Sequence, residues 1–349
     1  MTTVATRAAC ALGPVVVWVA LVVGCGGFGG SARAEPVTLR MSSITPEGTA
    51  WARDLRAFAR EVETETRGNV RIKWYLGGIA GDEMAQHERV QRDQLDGVVS
   101  GGMLCEKLAP SLRAVAMAGQ LRDRDEADFV VNRLRSTLDD EMARAGYVNL
   151  SESGMGFSLV FSKTPVRTLS DLQQLRPWLW VDDESLARQL SFLGMHPVPL
   201  PIEAAGSAYD AGKVDGFIAI PSAALAFQWS TQARYVTELR IGYLVGCMLV
   251  ARKAWDPIAA EDRAIMLTAA AKMRIRMEGT IKRMDATLVN GLFAKQGMTT
   301  VPVTRDLQSE FLQRARTSQK VVQQMVPPGV LDRMAGWLAD YRQHRAPHP

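Results

Sequence analysis

The chain has 349 residues, of which 47% are apolar and 22% charged, with a formal net charge of +4. These proportions belong to a globular protein rather than a disordered one, and the length suffices for two domains, each with its own core. Lysines and arginines are interspersed with acids instead of forming a stripe, which argues against nucleic acid as a partner.

The first segment reads as an export signal. Arg7 supplies the positive charge, and the apolar run 15–23 is shorter than the roughly 20 residues that span a bilayer. Two processing sites compete. Ala32-Arg33-Ala34 has the small-x-small pattern of ordinary signal peptidase and would leave Glu35 first. Val22-Val23-Gly24-Cys25 resembles a bacterial lipoprotein box, in which Cys25 is lipidated and the glycines after it form a tether. Val23 stands where that box has a small residue, but the apolar run ends at Cys25, which favours the lipoprotein cut. Residues 1–34 are therefore signal and tether, and a periplasmic or other extracytoplasmic location is expected, lipid-anchored in the second case. After either cut, Cys105 and Cys247 are the only cysteines in the folded body. Export permits a disulfide. Two isolated cysteines in apolar surroundings are nonetheless expected as unpaired core residues, and no Cys/His spacing of metal type occurs.

Residues 37–42 alternate as a strand, and Thr45-Pro46-Glu47-Gly48 leads into a helix over 50–66 whose apolar residues recur at helical spacing. Arg67-Gly68-Asn69 closes it, a strand follows over 70–76, and Gly77-Gly78 ends that strand. A helix is expected over 82–93, a short buried strand or loop over 97–102, and a helix over 125–145 with acids at its start to suit the dipole. Segments 147–150 and 157–161 are strands flanking the Gly154-x-Gly156 break, and they read as a crossing between two lobes. After a turn and short helix at 168–172 comes the strand Arg176-Pro177-Trp178-Leu179-Trp180-Val181. A helix over 185–193 is stopped by Gly194, strands follow at 197–200 and 215–221, and helices at 259–296 and 307–325. Strands alternating with helices define an α/β fold. The expected division is 35–150 for the first lobe, 151–258 for the second with its hinge strands, 259–325 for a long helix and return to the first lobe, and 326–349 for a C-terminal helix and tail.

Catalytic signatures are missing. There is no G-x-S-x-G elbow and no H-E-x-x-H, and His87, His196, His344 and His348 are expected to be solvated or structural. Residues 77–81 (GGIAG) lack the Lys-Ser/Thr ending of a phosphate loop. No catalytic residue, metal or cofactor is expected. Trp178 and Trp180, two apart in a strand, point to the same side, and either core packing or a ligand wall would use them so.

Taken in order, these segments resemble the DctP-type extracytoplasmic solute receptors of TRAP transporters, from about residue 37 to 324. The resemblance rests on Thr45-Pro46-Glu47-Gly48, Phe58-Ala59-Arg60-Glu61-Val62, the turn at 75–83, residues 90–97, Leu169-Ser170-Asp171-Leu172, Leu193-Gly194 with 197–200, and Gly212-Lys213-Val214-Asp215-Gly216. It implies a two-lobed, periplasmic-binding-protein-like α/β receptor with a ligand cleft between lobes and a long helix bracing both. The implied partners are a small-molecule ligand, TRAP-type integral membrane subunits and an additional periplasmic protein.

Typical members carry a carboxylate-binding arginine on the strand after Asp-Leu. Here Trp178 or Trp180 stands at that place, and Ala219-Ile220-Pro221 replaces the usual asparagine before proline. The chain thus resembles a Trp-x-Trp subset lacking that arginine. The resemblance implies a cleft lined by Trp178, Trp180, Phe217, Phe227 and Trp229, with Phe157 and Pro221 beside it, suited to a hydrophobic or amphipathic ligand. Asp182 and Asp183 either assist a cationic ligand at these rings or cap the helix that follows. A sensory or interaction module on the same fold, and a secreted hydrolase using cleft carboxylates, are the alternatives.

Overall fold

The computed structural model describes residues 35–344; the segment expected to be an export signal, Cys25 and the extreme C-terminus lie outside them. The first lobe comprises β1 (Val37–Ser43), α1 (Ala50–Glu65), β2 (Val70–Tyr75), α2 (Glu83–Gln91), β3 (Gly97–Ser100), α3 (Met103–Leu108), α4 (Arg113–Ala116), α5 (Arg124–Arg144) and β4 (Tyr147–Phe157). The second begins with β5 (Leu159–Ser162), α6 (Leu169–Gln174), β6 (Pro177–Leu179), α7 (Glu184–Leu193) and β7 (Val198–Pro199). It continues with α8 (Ile202–Asp210), β8 (Gly216–Ala219), α9 (Pro221–Ala226) and β9 (Tyr235–Thr237). The chain then runs through β10 (Tyr243–Ala251), α10 (Arg252–Trp255), α11 (Ala260–Thr287), β11 (Thr299–Val301), α12 (Arg305–Val322) and α13 (Val330–His344).

Each lobe is built on one sheet. The five-stranded sheet has the order β2-β1-β3-β10-β4, and the six-stranded sheet β11-β9-β5-β8-β6-β7. β1 pairs in parallel with β2 and β3, as strands joined through helices must, whereas β10 returns antiparallel between β3 and β4. The consecutive division expected from the sequence is therefore corrected. β10 lies within 151–258 yet belongs to the first sheet, and α12 packs on α7 and α6 of the second lobe, leaving α13 to return to α5 of the first. Pairing and packing, which join distant segments, override order along the chain.

Local signals place several helix starts. Thr49, Asp82, Asp123 and Asp183 each accept a hydrogen bond from a backbone N–H in the first turn of the helix they precede, and Thr168 with Asp171 forms a reciprocal capping box. α11 buries Met266, Ala269, Ala270, Met273, Met277 and Ile281 in the first lobe. It then passes into a π turn, Leu288–Phe293, whose Leu288, Val289 and Phe293 are buried in the second. The helical run expected over 259–296 is thus interrupted by a wider turn. One helix reaches both cores.

Cys105 and Cys247 form a disulfide, contrary to the expectation of free thiols. The β3–β10 ladder sets Cys247 opposite Ser100, and α3 carries Cys105 back over the same strands. His87 is buried and hydrogen-bonded through Nδ1 to the Tyr147 hydroxyl at 2.7 Å, so its role is structural. At the crossing, Gly156 has a φ of +127°, and a Cβ there would stand 2.8 Å from Asp285 Oδ2 and 3.1 Å from Arg124 Nη2. The close approach of that ion pair requires glycine.

Candidate ligand-binding cleft

The strand that carries Trp178 is short and paired on both sides. β6 runs parallel to both β8 and β7, with Trp178 opposite Phe217 on one side and Val198 on the other. Trp178 is 6% exposed, and its indole N–H donates to the Leu200 carbonyl at 3.0 Å. Phe217 is likewise buried, stacked on Phe161 with centroids 4.8 Å apart. Both belong to the core of the second lobe. Trp180 follows the strand, just where the chain turns towards Asp183 and α7, and its ring enters a cavity wall.

That cavity has a volume of about 170 Å³ and draws its wall from both lobes and from α11. The second lobe contributes Trp180, Asp183, Leu186, Ile218–Ile220, Phe227 and Trp229. Phe227 and Trp229 stack at 4.9 Å, with Gln228 between them in the left-handed region at φ +61°. This sparsely populated backbone conformation lets both rings face one way. The first lobe contributes Trp51, Glu83, the β3–α3 loop, Ser151, Ser153 and Met155, and α11 adds Met273 and Met277. No lysine, arginine or histidine of the described residues lies in the wall.

The ionisable groups of the wall are two carboxyls, Glu83 and Asp183. Glu83 is nearly inaccessible and accepts from Ser100 Oγ at 2.5 Å, Gly101 N at 2.7 Å and Leu104 N at 3.0 Å, tying α2 to the β3–α3 loop. Burial raises its pKa, and these donors draw it back. Asp183 accepts from Leu186 N at 2.9 Å, and burial raises its pKa too, against that bond and the pull of Arg113. Glu106 of α3 is pushed up to about 8, by burial first and then by Asp183, with Arg113 opposing and Glu83 adding to the rise.

The residues named from the sequence divide into groups. Trp180, Phe227, Trp229 and Asp183 meet in the cavity wall, whereas Trp178 and Phe217 lie behind it and Asp182 is exposed outside it. Arg176 pairs with Asp215 at 3.0 Å, away from the cavity. Phe157 and Pro221 line a different cavity of about 740 Å³ at the crossing. Ser158 faces the first cavity and its neighbours Phe157 and Leu159 the second, so the crossing strand separates the two. Sequence reasoning passed over Glu83, Trp51 and the methionines. The only signal for Glu83 was an acid beside the Asp82 cap after a glycine turn, which reads as ordinary helix-start chemistry.

Two lobes each built on a sheet, a helix reaching both cores and a cavity walled by both lobes have the architecture of a receptor for a small molecule. The chain matches the family described as "Bacterial extracellular solute-binding protein, family 7" over residues 41–326, and it belongs to that family. Family members are receptors rather than enzymes, and this membership lends no support to the hydrolase or sensory alternatives. Among relatives, a solute-binding protein of Chromohalobacter salexigens is 22% identical over 244 residues, 69% of this chain and 72% of its own. One of Verminephrobacter eiseniae is 23% identical over 270 residues, 77% of this chain and 80% of its own. Among solved structures, a TRAP periplasmic solute-binding protein of Polaromonas sp. JS666, bound to D-erythronate, has a TM-score of 0.79 at 19% identity, covering 87% of this chain and 98% of its own. A Bordetella pertussis extracytoplasmic solute receptor binding pyroglutamic acid has a TM-score of 0.76 at 19% identity, covering 87% and 99%.

Proposed function

We propose that this solute receptor captures a small hydrophobic or amphipathic molecule in the aromatic cavity and delivers it to TRAP-type membrane subunits. The observation that carries this reading is the wall without a cation. A carboxylate entering the cavity would lose its hydration, find no guanidinium to replace it, and meet Glu83 and Asp183 at close quarters. D-erythronate and pyroglutamic acid, the ligands of the two similar receptors, are both acids of that kind. An uncharged ring or short aliphatic chain instead gains burial against indole and thioether surface. A cavity of about 170 Å³ is close to the ~150 Å³ of an engineered apolar cavity that accepts benzene. Anchoring through Cys25, and an additional periplasmic partner, are part of the same proposal; the mass of the mature protein, with or without acyl chains, tests the former.

Trp180 and Trp229 report directly on occupancy. Titration with a panel of monocyclic aromatics, short amphiphiles and simple mono- and dicarboxylates, read by tryptophan emission, is expected to give saturable shifts only with the apolar members. Tight binding of a simple carboxylate that changes this emission would overturn the proposal.

A further inference from the structure

We propose that the cavity at the crossing is a second binding site, separate from the aromatic one, and that it takes a polyvalent oxyanion: a small molecule bearing two or more carboxylate or phosphate groups. The wall of this cavity, about 740 Å³ in volume, carries Arg122, Arg124, Arg240, Lys282, Arg316 and Arg342 against two carboxylates, Glu238 and Asp285. Glu126, outside the wall, holds Arg342. The wall itself carries six cations against two acids, an excess that Glu126 and Asp123 near Arg342 and Asp128 near Arg124 offset only in part. Such a concentration of one sign in a recess focuses the field and draws in counter-charge.

Several of these cations are held in place. Arg342 makes a two-point contact with Glu126, Nε–Oε1 at 2.8 Å and Nη2–Oε2 at 2.7 Å, and also donates to the Gln120 carbonyl. Arg124 donates to the Gly154 carbonyl at 2.9 Å and the Tyr243 hydroxyl at 3.1 Å, with Asp285 Oδ2 3.5 Å away. The Arg240 guanidinium lies 5.1 Å from the centre of the Phe157 ring and donates to the Arg122 carbonyl. Guanidinium groups fixed in this way need little further ordering to grip an oxyanion with paired N–H donors. The contributors also come from every part of the fold: Arg122, Arg124 and Arg342 from the first lobe, Arg316 from α12 on the second, Arg240 from the β9–β10 connection and Lys282 from α11. One anionic group cannot reach all of them across such a volume. An anion with several groups can.

The two sites are separable by experiment, because tryptophans line the aromatic cavity and none lines this one. Isothermal titration calorimetry of the whole mature protein at fixed ionic strength, with pyrophosphate, citrate and acetate as probes, is the test. At least one polyvalent probe is expected to bind saturably, with acetate far weaker. Lys282 and Arg316 are exposed, so Lys282→Gln and Arg316→Gln should leave the unfolding midpoint in place. Each is expected to weaken that binding about tenfold, the loss of a charge-assisted hydrogen bond. Heats that do not saturate for either polyvalent probe, acetate binding as tightly as citrate, or affinity unchanged in both variants would each overturn the proposal. Failure of the apolar-ligand titration would leave it standing.

Discussion

Trp178 in β6 and Trp180 just after it have ring centroids 5.4 Å apart, yet their surroundings differ. The first has its N–H bonded to Leu200 and its ring packed edge-on to Trp229 at 5.0 Å, while the second lines the cavity. Trp178→Ala should therefore cost about 3–5 kcal/mol of stability, as large aromatic truncations in cores do. Trp180→Ala should cost far less stability and abolish most of the affinity for an apolar ligand, as followed by chemical denaturation and ligand titration. The reverse pattern would reassign the two indoles. Glu106 makes a second residue-scale prediction. Its folded pKa is about 8 against an ordinary 4.5. Between these values the folded chain holds a proton that the unfolded chain has lost, so this group's contribution to stability declines as pH rises through the window. Glu106→Gln should raise the thermal midpoint near the upper end of that window and flatten the midpoint's dependence on pH. An unchanged profile would show that the carboxyl is not held neutral.

At the scale of elements, the disulfide links α3 to β10 across a sequence separation of 142 residues. Closing so long a loop restricts the unfolded chain, with a typical stabilisation of about 2–4 kcal/mol. The Cys105→Ala/Cys247→Ala pair of substitutions should lower the denaturation midpoint accordingly, and thiol titration of the denatured, unreduced protein should find neither cysteine reactive. Two reactive thiols would refute the bond. Nothing in the spacing of two lone cysteines could reveal this pairing, since the antiparallel return of β10 creates their proximity. Helix starts were more legible, because a capping side chain acts within its own turn: Thr49, Asp82, Asp123 and Asp183 all stand immediately before helices. The π turn at Leu288–Phe293 left no such trace. It occurs where the long helix changes from one core to the other, and tertiary packing sets that point.

For the molecule as a whole, the lobes interleave along the chain. The β4–β5, β9–β10 and α12–α13 connections and the α11 helix all pass between them, so any change in the angle between lobes must be absorbed in these segments. A ligand in the aromatic cavity touches both lobes and α11 at once. Its binding energy is therefore available to hold the lobes together, the general requirement for a receptor that closes on its cargo. The cationic cavity also draws on both lobes, and Asp285 joins it to the crossing glycine, Gly156. Burial pushes that carboxyl up to about 6, against Arg124 and Ser222.

By itself, the sequence determined the alternation of strands and helices, several helix caps and the family resemblance, because each depends on residues close together or on an ordered set of short segments. Only the tertiary structure decided which indole faces the cavity, that Glu83 and Asp183 are the ionisable groups of its wall, that two cysteines meet, and that six cations surround a second recess. The physical reason is distance along the chain. A strand's period tells which residues share a side, but the strands and helices that cover that side come from remote segments, and they determine whether the side is core or cleft.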